Sequence, residues 1–147
     1  MTKSILEILD RDLTKLAEEI NSYPDEALIW KTVDGISNSA GNLCLHLCGN
    51  LSHFIGFILG GDEYVRNRDA EFALRDIPKE KLIAEIEATR KRVYETFETL
   101  KPEKLKEFYP LNVLGKVHTT EFFLIHLVAH LNYHLGQINY HRRLVKY

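Results

Sequence analysis

The chain is poor in residues that staple or break structure. Among its 147 residues are two cysteines, four prolines, one methionine and one tryptophan. Cys44 and Cys48 stand one helical turn apart, where a disulfide would strain the backbone and close almost no loop, so both are read as reduced thiols. The prolines fall at the edges of periodic segments: Pro24, Pro78, Pro102 and Pro110. Strand-type alternation and internal repeats are absent. So are His-Glu-x-x-His, Glu-x-x-His, a glycine-rich phosphate loop and a Gly-x-Ser-x-Gly elbow. These gaps exclude zincins, carboxylate-bridged di-iron bundles, P-loop enzymes and α/β-hydrolases.

The most informative absence is of charge. The 19 basic and 21 acidic residues all fall outside residues 35–61 and 122–141, whereas six of the seven histidines lie inside those two runs. A formal net charge of −2 argues against a dedicated nucleic-acid binder. A charge-free run of this length is first tested as a membrane span. Here the first run holds three Asn, three Ser and two His, and the second holds four His, two Asn and a Gln. Polar groups in lipid need internal partners, so two buried helices are expected, with no membrane association. Glu7, Asp10 and Asp12 interrupt any apolar leader, and the expected location is the cytoplasm.

Periodicity predicts four helices in one domain spanning residues 1–147. Ser4-Ile-Leu-Glu7 reads as a capping box, followed by Ile5, Ile8, Leu9, Leu13, Leu16 and Ile20 at helical spacing until Tyr23-Pro24. Ser39 caps a second helix that runs to Leu59 and ends at Gly60-Gly61. Residues 62–77 read as a polar connector. Pro78 fits the first position of a third helix, with Leu82, Ile86, Val93, Phe97 and Leu100 on one face. Thr119 or Thr120 starts a fourth helix running to about Arg143. The expected fold class is all-α, a four-helix bundle with at least one crossover.

At about 100° per residue, Ser39, Asn42, Asn50 and His53 come within roughly 40° of His46. On the fourth helix His126, His134, Gln137 and His141 likewise cluster about His130. Each run is thus an apolar helix with one narrow polar stripe centred on histidine, the pattern of an interior site. His130-Leu-Asn-Tyr-His134 places two imidazoles side by side, as a metal needs. His46 is the natural third ligand, and three histidines with an open position form an established catalytic arrangement. With antiparallel second and fourth helices, His53 falls about 10 Å beyond His46 and beside His126. Cys44 and Cys48 point away from the stripe. His118 reads as a surface residue, and His141 as a surface residue or a neighbour of the site.

His130-Leu-Asn-Tyr-His134-Leu-Gly136-Gln137 resembles the His-x-x-x-His-x-Gly-Gln signature of the DinB/YfiT-like superfamily of four-helix metal-binding proteins. Gly41-Asn-Leu-Cys-Leu-His46-Leu is similar to the segment carrying that superfamily's first histidine, and Arg66-Asn-Arg-Asp-Ala-Glu71-Phe72 is similar to one of its uncharacterised subfamilies. The resemblance implies an up-down-down-up bundle with a long crossover between helices 2 and 3. It implies one divalent metal ion, zinc or nickel, with iron or manganese as alternatives, on His46, His130 and His134. It also implies a metal-dependent hydrolase or a transferase using a low-molecular-weight thiol with a small-molecule substrate, and a homodimer. Leu135 stands where many members carry an Arg. Asn50, His53, His126, Tyr133 and Gln137 are the groups left to orient imidazoles or meet substrate. The competing expectation is a non-catalytic module, metal-stabilised or oligomeric.

Overall fold

The computed structural model describes residues 1–146. Helix α1 spans Thr2–Asn21, α2 Glu26–Ile29, α3 Ala40–Leu51, α4 Arg68–Ala73, α5 Lys79–Thr99 and α6 Thr120–Leu144. A π-helical segment, Ser52–Leu59, continues α3 without a break, and a 3₁₀ turn covers Pro102–Lys106. Among the described residues there is no strand, only an isolated bridge between Phe108 and Thr119. The protein is all-helical.

Local chemistry sets most of these boundaries. Ser39 accepts from Asn42 N and Thr119 from Phe122 N, satisfying backbone donors that open α3 and α6. Asp25 and Asn67 do the same for α2 and α4. The expected capping box at Ser4 does not form, because α1 starts earlier and Ile5 N already bonds to Met1 O. Pro78 stands one residue before α5 rather than inside it. The polar connector expected at 62–77 contains α4, too short to reveal itself by apolar periodicity.

The apolar faces meet in one core. Leu9, Leu13, Leu16 and Ile20 of α1, Leu47 and Leu51 of α3, Leu82 and Ile86 of α5, and Leu124, Leu131 and Ile138 of α6 are all fully buried or nearly so. Helix α1 packs against α5 and α6, and α3 packs against the same two, while α1 and α3 barely meet. Polar contacts fix how the helices slide past one another. Asp12 accepts from Asn132, and Glu19 accepts from Asn139 and from Arg142, both at 2.6 Å. Arg90 meets Asp10. Ser52 pairs with Thr89 at 3.2 Å, and Thr96 reaches Ile55 O.

His141 departs from expectation. It is 3% exposed. Its Nε2 lies 2.7 Å from Lys31 O, so that nitrogen donates, and Nδ1 accepts from the Tyr23 hydroxyl at 2.6 Å. The residue anchors the connector after α2 to α6 and is neither a surface group nor a neighbour of the other histidines.

Residues 40–59 form the one helix among those described that is long and apolar enough to cross a membrane. Its apolar window is 67% buried inside the fold. Protein side chains, not lipid, cover most of it. Leu47 is fully buried on this helix, so Leu47→Ala should cost about 2–5 kcal/mol in urea unfolding. Val65→Ala, at an exposed position, should stay within about 0.5 kcal/mol.

Candidate metal centre

The charge-cleared faces of α3 and α6 bring three imidazoles together. One nitrogen from each of His46, His130 and His134 falls within a group in which all lie within 4.8 Å of one another. His46 Nε2 and His130 Nε2 are 3.2 Å apart. Two nitrogens bound tetrahedrally to one zinc, each at about 2.0–2.1 Å, stand roughly 3.3 Å apart. The spacing therefore fits two ligands of one ion. No fourth His, Cys, Asp or Glu among the described residues joins the group.

The back of each ring decides what its front can do. Glu71 Oε1 lies 3.1 Å from His46 Nδ1, and Arg66 holds the same carboxylate with two hydrogen bonds of 2.9 Å. Gln137 Oε1 lies 2.7 Å from His134 Nδ1. Both Nδ1 atoms thus donate outward, leaving Nε2 of His46 and His134 with a free lone pair. His130 differs: its Nδ1 is buried without a partner. Asn50 Oδ1 and His53 Nδ1 are also buried and unpartnered. Buried polar atoms without a protein partner are rare and call for a partner from outside the chain, water or an ion among them.

Glu71 reaches His46 because the connector carrying it is pinned to α3. Asn42 Nδ2 donates to Glu71 O and Leu74 O, each at 2.9 Å, and Arg75 donates to Asn42 Oδ1. Asn42, on the polar stripe, is therefore an anchor for α4. Opposite the carboxylate α3 has Gly49, where a Cβ would stand 2.0 Å from Glu71 Oε2. The absent side chain is the space the carboxylate fills.

Electrostatics favour neutral rings. Burial pushes the His130 imidazolium down to about 4, helped by His134, His46, His126 and Arg66 around it. Burial also lowers His134, against the opposing hydrogen bond that its Nδ1 donates to Gln137 Oε1, and lowers His53 with help from the Arg66 charge. Burial alone would raise the Glu71 carboxyl, but hydrogen bonds from His46 and Arg66 and their charge outweigh it and hold it below its usual range. His130 and His134 are thus held toward the unprotonated form, the one that binds metal, and the carboxylate behind His46 is ionised.

The remaining expected residues are placed as follows. His126 stacks on Phe123 and lies 6.3 Å from His130 between ring centres. His53 packs against Phe54 and Phe57. No hydrogen bond joins His53 to His126. Tyr133 is 66% exposed and meets the His134 ring edge-on. Sequence reasoning missed Glu71 and Arg66 as parts of the centre, although both lie in a segment it singled out. The available signal was Gly49, one turn beyond His46, where a glycine inside a helix points to a close approach by another group.

The family described as "Protein of unknown function (DUF1572)" matches residues 3–147. The chain belongs to this family. No curated protein matches it. With no activity attached to the family, the chemistry has to be read from the side chains of the centre.

Two outcomes follow from the geometry. Because the folded His130 value lies near 4 and the ordinary value is 6.5, the unfolded chain takes up a proton there that the folded chain refuses. The contribution to stability is whole above pH 6.5 and is lost as pH falls toward 4. Melting of chelator-treated protein should show that decline, and His130→Gln should flatten it. Glu71→Gln and Gly49→Ala should each weaken zinc affinity about 10–100-fold in competition titrations while helicity is retained.

Proposed function

We propose that this chain is a divalent-metal-binding four-helix bundle of the DinB/YfiT-like type, holding one ion on His46, His130 and His134. The observation that carries the reading is the convergence of three imidazoles, two of them locked from behind by Glu71 and Gln137 so that Nε2 faces inward. The helix registers support an up-down-down-up course. Contacts along α1 and α6 advance together from Asp12–Asn132 to Glu19–Arg142, while those between α3 and α6 run oppositely, from His46–His130 to Phe54–Phe123. The connector through α4 is then the crossover.

An all-imidazole set suits zinc or nickel, with iron or manganese as alternatives. A divalent ion there would supply Lewis-acid activation of water or of a thiol, which supports a reading as a metal-dependent hydrolase or a low-molecular-weight-thiol S-transferase. The chain's own groups do the rest. Glu71 and Arg66 fix the His46 ring, and Gln137 fixes His134. Asn50 and His53 offer unpaired polar atoms for a small-molecule substrate. Phe54, Phe57 and Phe72 flank the histidines and limit water. A cytoplasmic protein without membrane or nucleic-acid partners fits the balanced charge. The exposed, charge-free face of α6, with Phe122, Ile125, Tyr133 and Tyr140, favours a homodimer.

A second reading, a non-catalytic module stabilised by its metal, is favoured by one observation: the ligands come from two different helices, so an ion would tie α3 to α6. Elemental analysis of protein purified without a metal-affinity step decides whether the centre exists. Close to one divalent ion per chain is expected, and none in His130→Ala. A metal-free wild type whose melting ignores chelator, zinc and nickel would sink both readings. A screen of ester hydrolysis and thiol conjugation then separates them, with the His53→Ala/His126→Ala double variant keeping metal and losing turnover if the site is catalytic.

A further inference from the structure

Two of the three imidazoles are held from behind and the third is not. Glu71 stands behind His46 and Gln137 behind His134, each at the Nδ1 atom. An ion bound through Nε2 leaves the single proton of a neutral His130 on Nδ1, and that nitrogen is buried without a protein partner. The acceptors nearest in role are taken. Glu71 serves His46 and Arg66, and Gln137 Oε1 serves His134. His126, one turn before His130, stacks on it at 6.3 Å with the ring planes 27° apart and does not hydrogen-bond to Nδ1.

One buried acceptor on the facing helix is free. Asn50 is 8% exposed, and its Oδ1 is likewise without a partner. The register of α3 and α6 draws the two residues together. His46 meets His130 and Phe54 meets Phe123, so Asn50, midway between 46 and 54, stands level with residues 126–127, about 5 Å along the axis from His130. Helical side chains lean toward the N-terminus of their own helix. In this antiparallel pair His130 therefore leans toward the level of Asn50, and Asn50 leans back toward that of His130.

We infer that Asn50 is the positioning residue of the third ligand: in the metal-bound protein, His130 Nδ1 donates to Asn50 Oδ1. The role rests on the metal reading above. A small turn of the His130 ring as an ion seats on Nε2 closes the pair and satisfies both buried atoms at once. Each ligand then has its own acceptor behind it, a carboxylate for His46 and an amide oxygen for each of the other two. The amino end of the Asn50 amide and His53 stay available to substrate.

The test uses the full chain loaded with cobalt(II), whose unpaired electrons shift the ring N–H protons of bound histidines far downfield. Wild type in water should show three exchangeable signals of this kind, one for each ligand. Asn50→Leu should bind cobalt about 10–100-fold more weakly in competition titrations, and one signal should be lost to exchange while the other two keep their positions. Asn50→Asp, which keeps an acceptor at the same place, should restore the third signal and most of the affinity. Should the leucine variant not fold, Asn50→Ala, which opens room instead of filling it, is expected to show the same two changes. Leucine or alanine variants with wild-type cobalt affinity and all three signals would overturn the assignment, even if they melt lower, because a purely structural asparagine would behave that way. So would Asn50→Asp behaving like Asn50→Leu. A wild type that takes up no cobalt would refute the metal reading, and the role of Asn50 with it.

Discussion

The centre depends on one carboxylate buried against the back of an imidazole. Removing Glu71 from water is costly, and a buried ion is tolerated only when its partners are close and its lone pairs are used. Arg66 supplies a two-point contact, His46 a third, and Gly49 the room. The arrangement ties three otherwise separate features together. It fixes which nitrogen of His46 faces inward, it sets the path of the connector after the π-helical segment, and it requires the smallest residue at one position of α3. Asn42 reinforces it by holding two carbonyls at the C-terminal end of α4, so the carboxylate arrives on a rigid support.

The surroundings of the centre follow from what is kept away from it. With no charged side chain on the facing surfaces of α3 and α6, His130 and His134 are solvated poorly and are held toward the neutral form. The two cysteines, the other soft donors on α3, face the opposite side. The Cys44 thiol is raised first by its hydrogen bond with Cys48 and then by complete burial, which keeps it protonated and inert. Softness of ligand is thereby left to imidazole alone.

Much of this could be read from residue order, and the limits are physical. Helices long enough to show several apolar repeats, α1, α3, α5 and α6, announced themselves, as did the i,i+4 pair His130 and His134. What stayed hidden were contacts that no periodicity encodes. Glu71 sits on a six-residue helix inside a polar segment, where one acid among several looks like solvent-facing charge. His141 satisfied the wheel, yet it lies at the far end of α6, where Tyr23 and Lys31 O claim it. His53 marks another limit. The wheel assumed 100° per residue, and from Ser52 onward the helix is wound more loosely, with bonds spaced one residue further apart. Phases computed from His46 lose their meaning just there.

The separation of the ligands along the chain gives the centre a mechanical meaning as well. His46 and His130 are 84 positions apart, and the segment between them contains α4 and α5 but not α1. An ion gripping both would close that segment into a ring and subtract from the freedom of the unfolded chain, as any long cross-link does. Helix α1, outside the ring and resting on α5 and α6, would gain nothing directly from the closure. The fold would then consist of a clasped body of α3, α5 and α6 and one unclasped helix, whose grip relies on apolar packing and on the partners of Asp12 and Glu19.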